Sequence, residues 1–230
     1  EIEERVRAAQ AELTFARSRG SNLYSIPVAF LVAWVLWGVE PQAGLVAWVI
    51  AKLAVVAWRH GLALRRERDA PERVVHWGRQ LELAMFVDGV IYGLLGTVLL
   101  PRQDLALSSV MIASLIAIGS VGLVVLSMNL RAALAFTVPV LLPGAVGLLI
   151  DGGVVGTYAA LGMGILLMLV ASESRTSSEH TRSMLRLRFT MDRLAQEREQ
   201  ALELAERSNA AKAHFIATIS HEVRTPPHGI

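Results

Sequence analysis

Residues 106–127 read ALSSVMIASLIAIGSVGLVVLS, an apolar run without a single charge. A helix crosses a hydrocarbon core with roughly 17–25 such residues, each rising ~1.5 Å. Five more apolar runs lie around it, at about 23–38, 43–58, 80–100, 132–150 and 155–172. The first two are short, and their flanks extend them. Charge is sparse between Leu23 and Ser172 and dense on either side. The 230 residues are 53% hydrophobic and 18% charged, with a mean hydropathy of +0.47. A soluble core does not need that composition, so the expected fold is all-α: a six-span polytopic membrane domain with polar ends. Short links at Glu40-Pro41, Pro101-Arg102, Asn129 and Asp151-Gly152-Gly153 make the spans antiparallel hairpins.

Orientation follows from Arg and Lys, which concentrate in cytoplasmic links. Arg5, Arg7, Arg17 and Arg19 precede the first span. The 59–79 link holds Arg59, Arg65, Arg66, Arg68, Arg73 and Arg79, and the link after the fourth span holds Arg131. The alternate links hold only Arg102. Both ends of the chain are therefore expected in the cytoplasm, the protein being a multi-pass membrane resident. Residues 1–22 read as a cytoplasmic amphipathic helix, with Val6, Leu13 and Phe15 among Glu and Arg. Trp34, Trp37, Trp48 and Trp58 lie near run ends, as interfacial aromatics do.

Several classes are excluded. The chain has no cysteine, so disulfides and thiolate metal sites are absent. A net charge of +2 gives no reason to expect nucleic acid as a partner. No metal site is expected. No cleavable leader is visible in the polar N-terminal residues, and the chain is expected to be a piece of a longer protein. The outer links are too short for an external ligand-binding domain. A stimulus must then be bound among the helices, be carried in the lipid, or be a property of the membrane itself.

Two charges fall inside spans, where charge is expensive and commonly functional. Lys52 lies about seven residues from the cytoplasmic end of the second run, and Asp88 about eight residues into the third, so ~1.5 Å per residue puts them at similar depth. An ion pair between them, with Tyr92 one turn above Asp88, would line a polar intramembrane ligand site. The alternative is that Lys52 snorkels and Asp88 bonds a neighbouring hydroxyl or amide. Gly89/Gly93, Gly119/Gly122, Gly144/Gly147 and Gly162/Gly164 mark close helix packing. Pro27, Pro139 and Pro143 mark kinks.

From Glu173 the pattern changes. Met184, Leu187, Met191, Leu194, Ala201, Ala205, Phe215 and Ile219 recur at spacings of a heptad seam, and no Gly or Pro falls between 173 and 225. The expectation is a parallel two-stranded coiled coil over 173–209, continuous with the last span. The alternative is a single amphipathic helix packed on another element.

The chain closes on Ser220-His221-Glu222-Val223-Arg224-Thr225-Pro226-Pro227-His228-Gly229-Ile230, after Ala210-Ala211-Lys212-Ala213-His214-Phe215-Ile216-Ala217-Thr218-Ile219. A zinc-protease reading fails, because H-E-x-x-H needs a second His where Thr225 stands. Imidazole with an unperturbed pKa of about 6.5 is a neutral nucleophile at cellular pH, and an adjacent carboxylate can hold the proton on its other ring nitrogen. Residues 210–230 resemble the phosphoacceptor box of bacterial sensor histidine kinases, whose usual text is close to AKSxFLAxxSHELRTPLxxI. The resemblance covers about the last twenty residues. It implies that His221 is the phosphoacceptor, that Glu222 is its acid–base partner, and that Thr225 serves dephosphorylation of the regulator. Pro226 would bend the helix. Pro227, where the family has Leu, and His228, where Asn is common, depart from the pattern, so Pro226 and Pro227 form an unusual structural kink.

The resemblance further implies a homodimer and a response regulator as partners, beside membrane lipid. Residues 210–230 would open a dimerisation and phosphotransfer domain. ATP and Mg would be bound by a catalytic domain that these residues lack, leaving this piece inactive alone. The expected function is a membrane-embedded input domain, residues 23–172, controlling phosphorylation of His221 and answering to a small hydrophobic ligand. The alternative is a six-span transporter or channel with a dimerising cytoplasmic helix. Against it stand the absence of internal repeats and of a visible polar stripe through the spans.

Overall fold

The computed structural model describes residues 2–68 and 74–224. Among the described residues the chain is helical and forms no strand. The elements are α1 (Ile2–Leu36), α2 (Gln42–Arg68), α3 (Val74–Gly93), a 3-10 turn (Leu94–Gly96), α4 (Leu105–Leu126), α5 (Leu130–Asp151) and α6 (Val154–Arg224). Two compact units divide the chain, Glu3–Ser183 and the segment from Met184 onward, the division falling within α6.

Four helices contain stretches long and apolar enough to cross a membrane: Gln42–Arg66, Leu105–Leu126, Leu130–Asp151 and a segment of Val154–Lys212. The other two do not meet that measure. The first half of α1 is charged, and α3 carries His76, Arg79, Glu82 and Asp88 within its 20 residues.

Helix ends follow local chemistry. Asp104 caps α4 by accepting from the backbone N–H of Ala106 and Leu107, and Asn129 caps α5 through Arg131 and Ala132. After α1, Gly38 takes a left-handed φ of 88°, and Gly152 after α5 takes 75°, conformations that carry no Cβ penalty only in glycine. The third apolar run was expected to be helical to about residue 100, but α3 ends at Gly93. The 3-10 turn and the segment from Thr97 to Asp104 close the link instead, where Gly96 and Pro101 disfavour helix. No break separates residues 1–22 from the first apolar run, since α1 passes through both.

Within the first unit, cross-helix contacts fix the helix directions. Arg66 pairs with Glu12, and Asn22 donates to the carbonyl of Val56 at 3.0 Å, so α1 and α2 are antiparallel. Lys52 meets Asp88 while Trp48 donates to the Ile91 carbonyl at 2.7 Å, so α2 and α3 are antiparallel too. At the other end of the bundle, exposed Arg102 and Asp151 pair at 2.8 Å and join the α3–α4 link to the end of α5.

Helices α3 and α5 run parallel and approach closely at two glycines of α3. A Cβ on Gly89 would lie 2.7 Å from Pro139 Cγ, and one on Gly93 would strike the Pro139 carbonyl. Pro143 lacks the N–H that would bond that carbonyl within α5, and the bare face of Gly93 lets α3 cover it. Gly96 likewise abuts Gly144, and Gly122 abuts the Phe136 ring. Gly162 and Gly164 behave differently from the expectation of close packing: a Cβ on either meets nothing within 4 Å.

In the second unit, α6 exposes Met184, Leu187, Met191 and Leu194, each by more than half. The expected seam is an open apolar stripe in the single chain.

Candidate functional site

The site is built where α2 and α3 cross. Lys52, Val55, Val56 and Arg59 face inward from α2, so that two cations seven residues apart share one buried face. Both reach Asp88. The Lys52 ammonium donates to Asp88 Oδ1, and Arg59 Nη1 donates to Oδ2 at 2.7 Å. Arg59 Nη2 also reaches the Ser18 carbonyl of α1 at 3.5 Å. Lys52 is 0% exposed, Asp88 1% and Arg59 8%, which makes this a buried cluster of two cations and one carboxylate. A buried charge needs such partners, because its desolvation is otherwise uncompensated.

Aromatic rings complete the wall. The Lys52 ammonium lies over the Tyr92 ring, 3.7 Å from its centroid, a cation–π contact. Tyr92 packs edge-on against Trp48 and Phe136, with centroids 6.3 and 6.2 Å away. Trp48 is therefore an internal anchor, buried and bonded to the Ile91 carbonyl, and not the interfacial ring that its sequence position suggested.

A cavity of about 320 Å³ opens beside the cluster. Arg59, Asp88 and Tyr92 form its polar end. Its remaining walls come from α1 (Ser21, Ser25, Val32), from α4 (Ser114, Ile118, Val121) and from Phe136 of α5. The structure thus brings the three expected intramembrane residues, Lys52, Asp88 and Tyr92, into one contact network next to a cavity. Lys52 lies behind Asp88 and is not part of the cavity wall.

Arg59 was missed as a site residue. It had been counted as a charge of the link after the second span, but α2 continues to Arg68 and buries it. Its spacing of seven from Lys52, two helical turns, was the available signal.

A second polar feature was also missed. Gln10, Thr14, Ser18 and Asn22 recur every four residues on α1, and all are buried. One face of the first half of α1 is thus packed, while its Arg and Glu side chains lie on the exposed face. Gln10 is its hub: its amide donates to the Met128 carbonyl and, at 2.9 Å, to Ser178 Oγ. Its carbonyl accepts from Arg182 Nε at 3.1 Å. Gln10 so ties α1 to the α4–α5 link and to α6. Two buried polar atoms in this region have no hydrogen-bond partner among the described residues, Asn22 Oδ1 and Arg59 Nε. A third, Ser174 Oγ, lies on the same face of α6 as Ser178.

His221 and Glu222 fall on the helical backbone of α6, which runs to Arg224. Thr225, Pro226 and Pro227 lie outside the described residues. Among the described residues, no group of three or more His, Asp or Glu side chains could hold a metal ion. No protein-family model, curated protein or solved structure matches the chain.

Proposed function

We propose that this chain is the input portion of a membrane-bound sensor histidine kinase, in which a six-span bundle controls phosphorylation of His221. The observation that carries the reading is the string Ser220-His221-Glu222-Val223-Arg224-Thr225-Pro226. A phosphoacceptor must sit on a helix, and α6 supplies one through Arg224. Glu222 is the acid–base partner of His221, Thr225 serves dephosphorylation of the response regulator, and the Pro226-Pro227 pair bends the helix beyond the histidine. A separate domain binds ATP with Mg. Both termini face the cytoplasm of a bacterial inner membrane, and the open stripe of Met184, Leu187, Met191 and Leu194 pairs with a second copy as a coiled coil.

Control runs through α1. Arg59 of the buried cluster reaches the Ser18 carbonyl, and about two turns earlier on the same helix Gln10 holds Ser178 and Arg182 of α6. A change at the cluster that moves α1 alters the hold on α6, the helix whose later residues include His221. Helices with two alternative packings are the usual carriers of such coupling.

The test is phosphoryl transfer from radiolabelled ATP in the natural protein that carries this chain. His221→Gln abolishes the label, and Thr225→Ala leaves labelling intact while dephosphorylation of the regulator is lost. Label that survives His221→Gln refutes the assignment.

A second reading, a transporter or channel, is favoured by one observation. The buried polar stripe on α1, together with Lys52, Asp88 and Arg59, supplies the polar surface that the sequence did not display. Solute flux in proteoliposomes that needs Asp88 but is indifferent to His221 would support it.

A further inference from the structure

Charge and donor counting at the cavity point to the chemistry of its occupant. Lys52, Arg59 and Asp88 are the buried charged side chains among the described residues, and together they leave one positive charge uncompensated. The carboxylate has both oxygens engaged by cations. The serine hydroxyls on the wall have spent their protons on their own helices: Ser21 on the Ser18 carbonyl at 3.0 Å, Ser25 on the Asn22 carbonyl at 2.6 Å, and Ser114 on the Val110 carbonyl at 2.8 Å, which leaves the phenols of Tyr24 and Tyr92 as the donating hydroxyls of the lining. Arg59 differs from the serines. It lines the cavity through part of its side chain, and its Nε, which has almost no accessible surface, is a donor without a partner. Such an orphan donor costs the full desolvation of the group until an acceptor arrives. The surface that is short of a partner is therefore cationic and donating, and the rest of the wall is mostly aliphatic or aromatic.

We propose that this cavity binds an amphipath with one anionic head and one short apolar chain, the head accepting hydrogen bonds from Arg59. A volume of about 320 Å³ is room for one short chain. It also falls at the lower end of the usual range for small-molecule sites. An anionic head on Arg59 competes with the Ser18 carbonyl and with Asp88 for the guanidinium. It thus acts on the α1 contact through which the proposed control of α6 runs. The signalling consequence rests on the kinase reading, but the binding does not.

The test is calorimetric titration of decanoate, 1-decanol and decylamine into the purified chain in phosphatidylcholine nanodiscs. Decanoate is expected to bind saturably and at least tenfold tighter than either of the other two. Arg59→Met should remove that preference. Ala117→Phe, on the α4 wall, should block binding while helical content and thermal unfolding stay as in the wild type. Nanodiscs containing phosphatidylglycerol separate two sources of the anion. Decanoate affinity that is unchanged as this two-chain lipid is added is the result expected for a single-chain amphipath, and affinity that falls because the lipid headgroup takes the site would overturn the proposal. Equal partition of all three probes, tighter binding of decylamine, or unaltered decanoate binding by Ala117→Phe would overturn the proposal. None of these readouts involves phosphoryl transfer, so failure here and failure of the kinase reading are distinguishable.

Discussion

Substituting Asp88 with Asn should be the most damaging single change in the cluster. The side chain keeps its shape, but the two cations lose their shared counter-charge. Arg59 borders the cavity, but Lys52 has no exposure and lies off the cavity wall, so water cannot take the place of the carboxylate at its ammonium without opening the bundle. Stranding a buried charge by removing its partner typically destabilises by about 3–5 kcal/mol. We expect a loss in that range, about two to three and a half decades in the folding equilibrium at ~1.4 kcal/mol per decade.

Lys52→Met should cost less, under about 2 kcal/mol, because the 2.7 Å Arg59–Asp88 pair survives and the cluster becomes neutral. Replacing all three with apolar residues (Lys52→Met, Arg59→Leu, Asp88→Leu) should recover most of the loss, since well-packed apolar replacement of buried ions is commonly neutral or better. The assay is reversible denaturation by sodium dodecyl sulfate in bicelles, followed by helical circular dichroism. Asp88→Asn costing less than about 1 kcal/mol, or the triple variant being as unstable as Asp88→Asn, would refute the view that the cluster is held by mutual charge compensation.

Other consequences concern packing and coupling. Gly93→Ala places a methyl on the Pro139 carbonyl and should destabilise by about 1–3 kcal/mol in the same assay, whereas Gly162→Ala, with open space around it, should stay within about 0.5 kcal/mol. Gln10→Leu removes the bonds to Met128, Ser178 and Arg182, and should cost about 2–3 kcal/mol while changing the basal rate of His221 phosphorylation severalfold; an unchanged rate would remove α1 from the route. Thr225→Ala should slow regulator dephosphorylation at least tenfold and leave autophosphorylation within twofold, read by loss of labelled regulator over time.

Much of the helical layout was legible because apolar runs and their breakers are local signals. Asp104 and Asn129 sit where chain direction reverses, and both prove to be caps. The meeting of Lys52 with Asp88 was legible from depth alone, because adjacent antiparallel helices bring equal depths together. Arg59 was not, because an arginine at the end of an apolar run reads as a link charge until the helix is seen to continue past it. The polar stripe of α1 was hidden for a similar reason. Gln10, Thr14, Ser18 and Asn22 lie among Arg and Glu, and only packing shows which face turns inward. Close approach at Gly89 and Gly93 followed from their spacing, but the partner, a proline carbonyl lacking its own helical donor, required the structure.

The central claim is that His221 receives phosphate under the control of the bundle. Mapping the phosphoryl group by mass spectrometry, in the natural protein incubated with ATP in nanodiscs, tests it most directly. The account predicts a single acid-labile phosphoryl group on His221, absent in His221→Gln and formed at a severalfold different rate in Gln10→Leu. Phosphate on another residue, or none at all in protein competent to bind ATP, would contradict it.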